Sequence, residues 1–243
     1  MDRNFETVNL ICFPYAGGSQ YSYNSFKAVA PSGLNVIPIE LPGRGDRVKE
    51  SLLVNIESMV NDQFNQLKNY INKQYILYGH SMGAILFYLV AKKIVNANLP
   101  LPQHCVVTGC EGPSAKNKNR KLRSHLPQDE FLKELKALGG LPHEILMDAS
   151  FLDFFEPILR TDFKAVEDYQ YQKSAALNIP ICVIYGSEED FSFAEASAWQ
   201  KESNFDVEVI KLPGDHFFIF RHESQIMSII EKKSKQQRVK SFL

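Results

Sequence analysis

The chain is poor in the features that mark several large classes of protein. It has four cysteines in 243 residues, Cys12, Cys105, Cys110 and Cys182, and no two form a C-x-x-C pair. Three of them sit inside apolar, strand-like runs, so they read as buried reduced thiols and not as a disulfide framework. The six histidines are scattered, without H-E-x-x-H or comparable metal-ligand spacing, so no metal is expected. Neither sign of charge is in excess. Lys+Arg number 27 and Asp+Glu 28, a formal net charge of -1, which gives no reason to expect nucleic acid or an anionic membrane as a partner. Long hydrophobic runs are missing too. The start, Met1-Asp2-Arg3-Asn4-Phe5-Glu6, is polar and charged, and the run Val8–Phe13 is too short for a signal core or a membrane span. A cytoplasmic protein is expected, and a monomer. No G-K-[ST] loop occurs, and no G-x-G-x-x-G follows the first apolar run, which argues against phosphate-cradling and dinucleotide-binding loops. No cofactor is expected.

What remains is an ordinary globular composition, 44% hydrophobic and 23% charged, on a chain long enough for one large α/β domain. Six strand candidates are legible: Val8–Phe13, Val36–Ile39, Tyr75–Tyr78, Cys105–Thr108, Ile181–Tyr185 and Val207–Leu212. Most are near-continuous apolar runs, as in a mostly parallel sheet covered on both faces. Helical patterns fall between them. Ile56, Met59, Val60, Phe64, Leu67 and Ile71 keep a 3.6-residue rhythm, and a mostly apolar helix runs from Ala84 to Ile94. A last helix carries Ile226, Ile229 and Ile230 on one face. Strands alternating with helices give an α/β class with a central sheet flanked by helices.

One region breaks the alternation. Between Thr108 and Ile181 there is no good strand, only helical patterns around Phe131–Leu138 and Phe151–Leu159. An insertion at about 113–178, over the carboxyl edge of the sheet, would act as a helical lid. Its density of Phe and Leu suits an apolar pocket, with Phe151, Phe155 and Leu159, and Phe217 from a later loop, as lining candidates. The basic run Lys116, Lys118, Arg120, Lys121 and Arg123 reads first as a solvated loop and second as a docking patch for an acidic partner.

The chemistry is carried by Gly79-His80-Ser81-Met82-Gly83. It follows the apolar run Tyr75–Tyr78 and opens the next helical pattern, the strand–turn–helix context in which G-x-S-x-G forms a nucleophile elbow. A serine needs a base, and the expected order along the chain is serine, acid, histidine. Behind the last strand candidate comes Gly214-Asp215-His216-Phe217-Phe218, which makes His216 the base. His80, on the elbow itself, reads as a support. The acid is sought after Ile181–Tyr185, in Gly186-Ser187-Glu188-Glu189-Asp190. Asp215 is too close to His216 to orient it. For the oxyanion hole, one backbone N–H is that of Met82 and the other comes from Tyr15 or Ala16, in the loop Phe13-Pro14-Tyr15-Ala16-Gly17-Gly18.

Together with Leu41-Pro42-Gly43-Arg44-Gly45, these motifs resemble the type II thioesterases, the stand-alone enzymes of nonribosomal peptide and polyketide synthesis. Ser124-His125-Leu126-Pro127, Leu138-Gly139-Gly140-Leu141-Pro142 and Leu159-Arg160-Thr161-Asp162-Phe163 resemble that family's lid. The resemblance runs from about Val8 to Lys232. It implies an α/β-hydrolase fold and hydrolysis of acyl thioesters on the phosphopantetheine arm of acyl or peptidyl carrier proteins. By motif it makes Ser81 the nucleophile and His216 the base. The family's acid is an aspartate three residues after the loop glycine, a register that holds Glu189, with Asp190 one place later. Register favours Glu189; residue type favours Asp190 and tips the balance slightly that way. A triad alone would also fit a general carboxylesterase, and a broken triad would leave only a carrier-binding module.

Overall fold

The computed structural model describes residues 7–115, 121–139 and 149–240. Its centre is a six-stranded sheet of β1 (Val8–Phe13), β2 (Leu34–Pro38), β3 (Tyr75–His80), β4 (His104–Thr108), β5 (Ile181–Gly186) and β6 (Glu208–Leu212). The order is β2-β1-β3-β4-β5-β6 and every pairing is parallel. These are the six apolar runs of the sequence with slightly shifted ends. The four inner strands are buried along their whole length, while β2 and β6 at the edges carry partly and fully exposed positions. Inner strands of a doubly covered sheet have no solvent face, hence their continuous apolar sequence.

Alternate side chains feed two layers, as the two-residue period of a strand requires. Ile11, Leu77, Val107 and Val183 join one cluster with α2 (Ile56–Leu67) and α3 (Met82–Asn96). Leu10, Ile76, Val106 and Ile184 join the other with α1 (Asn24–Val29) and α7 (Glu223–Lys240). Between β4 and β5 lie α4 (Gln128–Leu138) and α5 (Ala149–Glu167), whose Phe131, Leu135 and Leu159 form a third, smaller cluster. A short α6 (Phe193–Ser197) follows β5. Among the described residues no helix is long and apolar enough to cross a membrane.

The connection leaving β1 carries α1 to one face, and that leaving β3 carries α3 to the other. The carboxyl ends of β1 and β3 therefore flank a topological switch point, where open α/β sheets leave a crevice for ligands.

Candidate active site

Ser81 sits between β3 and α3 with φ +52° and ψ −120°, a left-handed conformation that costs a non-glycine residue energy. The surroundings hold it there. The Ser81 N–H donates to the Thr108 carbonyl at 2.9 Å, and the Ser81 carbonyl accepts from the Ala84 N–H at 2.9 Å. The two elbow glycines are required by close approach. A Cβ on Gly79 would overlap the backbone of Gly83, and one on Gly83 would overlap the Phe13 carbonyl. The first turn of α3 is thus pressed against both β3 and the end of β1.

The loop after β1 closes as a tight turn. The Tyr15 carbonyl accepts the Gly18 N–H at 2.8 Å, and Gly17 supplies the positive φ, +76°, that a type II turn needs at its third position. The Gly17 N–H donates to Asp162 Oδ2 at 2.8 Å. Asp162 is buried on α5 and takes a two-point ion pair from buried Arg44, Nη1 to Oδ2 at 2.6 Å and Nη2 to Oδ1 at 2.9 Å. Arg44 and Asp162 belong to motifs that the sequence could align but to which it gave no role. Their charges meet only in three dimensions.

His216 follows β6, and its Nδ1 lies 2.8 Å from Glu189 Oε2. Glu189 presents a side chain that is only 4% exposed, whereas Asp190 is exposed. The lean towards Asp190 on residue type is therefore corrected: the carboxylate on the imidazole is Glu189. The cause is local. The Ser187 N–H donates to the Leu212 carbonyl at 2.8 Å and the Glu188 N–H to the Gly214 carbonyl at 2.9 Å. Those bonds tie the loop after β5 to the loop after β6 in the register that turns Glu189 inward.

His80 is buried behind the site. Its Nδ1 lies 3.2 Å from Thr108 Oγ1, and its ring centroid is 4.7 Å from that of His216. Burial, and then the nearby His216, hold its pKa well below the usual histidine value, so His80 is neutral near pH 7.

Ser81, His216, Glu189, Ala16 and Met82 line one cavity of about 310 Å³. Its apolar wall is built from Ile85 on α3, Phe163 and Val166 on α5, and Tyr169 and Phe191. This differs from expectation. Phe155 and Leu159 do not line this cavity; they press on Gly17 and the α4 cluster. Phe217 packs on Tyr15 and Phe220, with centroids 5.2 and 6.0 Å apart. The apolar stripe of α5 crosses the site, and only its C-terminal end reaches the cavity. The Tyr15 ring packs edge-on against His80 at 5.8 Å. The Phe151 side chain, Lys116, Lys118, Arg120 and Gly140-Leu141-Pro142 lie outside the described residues. Of the basic run, Lys121 and Arg123 line the cavity, and both pair with Glu134, at 2.8 and 3.2 Å.

A strained serine on an elbow, a histidine held by a carboxylate, and a turn facing the serine form a constellation for acyl transfer. The family model for the thioesterase domain matches residues 8–234. The chain belongs to the thioesterase domain family. Solved thioesterases share its α/β-hydrolase fold. ClbQ from the colibactin NRPS/PKS pathway is 27% identical, with a TM-score of 0.89 over 96% of this chain and 99% of that one. YbtT, a type II thioesterase from the yersiniabactin NRPS/PKS pathway, is 26% identical, with a TM-score of 0.85 over 96% and 95%. The linear gramicidin dehydrogenase LgrE of Brevibacillus parabrevis is 32% identical over 92% of this thioesterase and 86% of LgrE.

Proposed function

We propose that this thioesterase frees carrier-protein domains of acyl groups held on their phosphopantetheine arm, using Ser81, His216 and Glu189 as nucleophile, base and acid. The observation that carries the reading is the 2.8 Å contact of Glu189 with His216 at the cavity that also holds Ser81. With Nδ1–H donating to Glu189, His216 Nε2 is left to accept a proton.

Ser81 Oγ attacks the thioester carbonyl carbon as its proton passes to His216 Nε2. The carbonyl oxygen, now an oxyanion, is stabilised by the Met82 N–H at the start of α3 and by the N–H of Ala16. Collapse breaks the C–S bond, and His216 returns the proton to the departing sulfur. A thiol leaves readily, since its pKa is about 8.5. Water then attacks the acyl-serine, giving its proton to His216, which passes it to Ser81 Oγ as the free acid departs. Every group used belongs to the chain, so the reaction needs no cofactor. The segment carrying α4 and α5 serves as the lid, and the enzyme works as a cytoplasmic monomer.

The test is mass spectrometry of carrier proteins loaded with acyl groups of varied length and polarity. The enzyme should return them to the free-thiol form, and Ser81→Ala should not. A carrier left fully loaded, with fast turnover of p-nitrophenyl esters, would instead make the protein a general carboxylesterase.

A further inference from the structure

A second cavity, of about 350 Å³, lies on the far side of the apolar wall. It is bounded by Ile56 and Val60 of α2, Tyr88, Leu89 and Lys92 of α3, and the chain beyond α5. Among the described residues one lines both cavities, Tyr169. We propose that Tyr169 is the partition that sets the longest acyl group this thioesterase accepts, and that the second cavity is the continuation of the acyl-binding chamber. This rests on the acyl-thioesterase reading above and deepens it.

The two spaces are stacked along a single helix. Met82 and Ile85 face the catalytic cavity, and Tyr88, Leu89 and Lys92 face the second one. At 1.5 Å of rise per residue, the path from Met82 to Lys92 is about 15 Å. An acyl chain attached to Ser81 and lying along α3 would meet the Tyr169 ring after roughly the first turn. On the far side it would find Ile56, Val60 and Leu89, an apolar bed, before polar Lys92 and Ser174 at the outer rim.

Tyr169 is anchored as a wall should be. It lies two residues beyond the end of α5, and its N–H donates to the Val166 carbonyl at 3.1 Å. Two residues further on, Tyr171 Oη donates to buried Glu202 at 2.8 Å, and Tyr88 Oη of α3 donates to the same carboxylate, which ties this stretch of chain to α3. Burial, and then the Glu202 carboxylate, push the Tyr169 phenol up to about 12, so it remains a neutral, ring-shaped plug. The ring itself packs against the main core.

The test uses N-acetylcysteamine thioesters of butanoate and dodecanoate as soluble probes. The readout is the ratio of the two kcat/KM values within one preparation, which a partly unfolded sample does not move. Tyr169→Ala should raise the dodecanoate-to-butanoate ratio at least about tenfold, because a hydrophobic pocket discriminates about 10-fold or more per methylene. Tyr169→Leu, a milder truncation, should move it the same way. Adding Leu89→Trp to Tyr169→Ala should refill the opened space and return the ratio towards that of the parent. A ratio that stays put in both truncations, or a raised ratio indifferent to Leu89→Trp, overturns the partition while leaving the thioesterase reading intact. Wild-type enzyme inert towards both probes and towards every loaded carrier overturns both.

Discussion

Glu189 and Asp190 are neighbours in sequence, yet only one can hold the imidazole of His216. Glu189 Oε2 is 2.8 Å from Nδ1, and Asp190 is exposed at the rim. Glu189→Gln keeps the shape but removes the charge that, in the proposed mechanism, fixes the tautomer and stabilises the imidazolium. It should lower kcat by about 10⁴-fold, as the comparable acid-to-amide change in a triad does. Asp190→Asn should change kcat no more than about threefold, within the range of a surface substitution. Thiol release from an acyl thioester, followed by a chromogenic disulfide, measures both; an Asp190→Asn enzyme as crippled as Glu189→Gln would return the acid to Asp190. The sequence made Ser81 and His216 legible because each stands in a short motif whose geometry is local. The acid was not legible in that way. Which of two adjacent carboxylates turns inward is decided by Ser187 and Glu188 bonding to Leu212 and Gly214, contacts between two separate loops.

At the scale of elements, the strands were readable from their continuous apolar runs and the long helices from their 3.6-residue periodicity. The short α1 and α6 were not, because helices of about two turns carry too few positions for a pattern. The role of α5 was hidden for another reason. Its Asp162 meets Arg44 across 118 residues of sequence, and together they hold the Gly17 N–H. That cluster fastens the turn carrying Ala16 to the helix that walls the cavity. Asp162→Ala leaves a buried guanidinium uncompensated, which should cost about 3–5 kcal/mol of stability. For a chain of this size that lowers Tm by roughly 10 °C. In the proposed mechanism, loss of the acceptor on Gly17 also loosens the turn that presents the Ala16 N–H, so kcat should fall about 100-fold, the scale of one oxyanion donor. Arg44→Met with Asp162→Leu separates the two effects. An apolar pair can restore the stability, but it cannot accept the Gly17 N–H, so Tm should recover while kcat stays low. Full recovery of kcat in the double variant would show that the pair serves packing alone.

The sheet is enclosed between two apolar layers, and among the described residues two histidines are sealed inside them. His80 lies behind the site and His104 at the start of β4, its Nδ1 3.1 Å from the Cys105 carbonyl. Burial lowers the pKa of His104 to about 4 against the opposing hydrogen bond to the Cys105 backbone, with Lys233 acting in the same direction as burial and Glu208 against it. Burial lowers that of His80 as well. Both folded-state values lie below the unfolded one, near 6.5, so between these limits the unfolded chain binds protons that the folded chain refuses. Stability is therefore fully present above about pH 6.5 and is lost as the pH falls, by up to about 1.4 kcal/mol per pH unit for each such group. From pH 7 to pH 5, His104 alone should remove about 2 kcal/mol. Carboxylates paired in the folded state add loss in the same direction, so the total fall does not isolate a histidine; a substitution does. His104→Gln keeps a donor for the Cys105 carbonyl and cannot be protonated. Urea unfolding at pH 7 and pH 5 should show its stability falling by about 2 kcal/mol less than that of the parent. Equal falls in the two proteins would mean that His104 takes up its proton in the folded state as readily as in the unfolded one, and that the layer over β4 admits water.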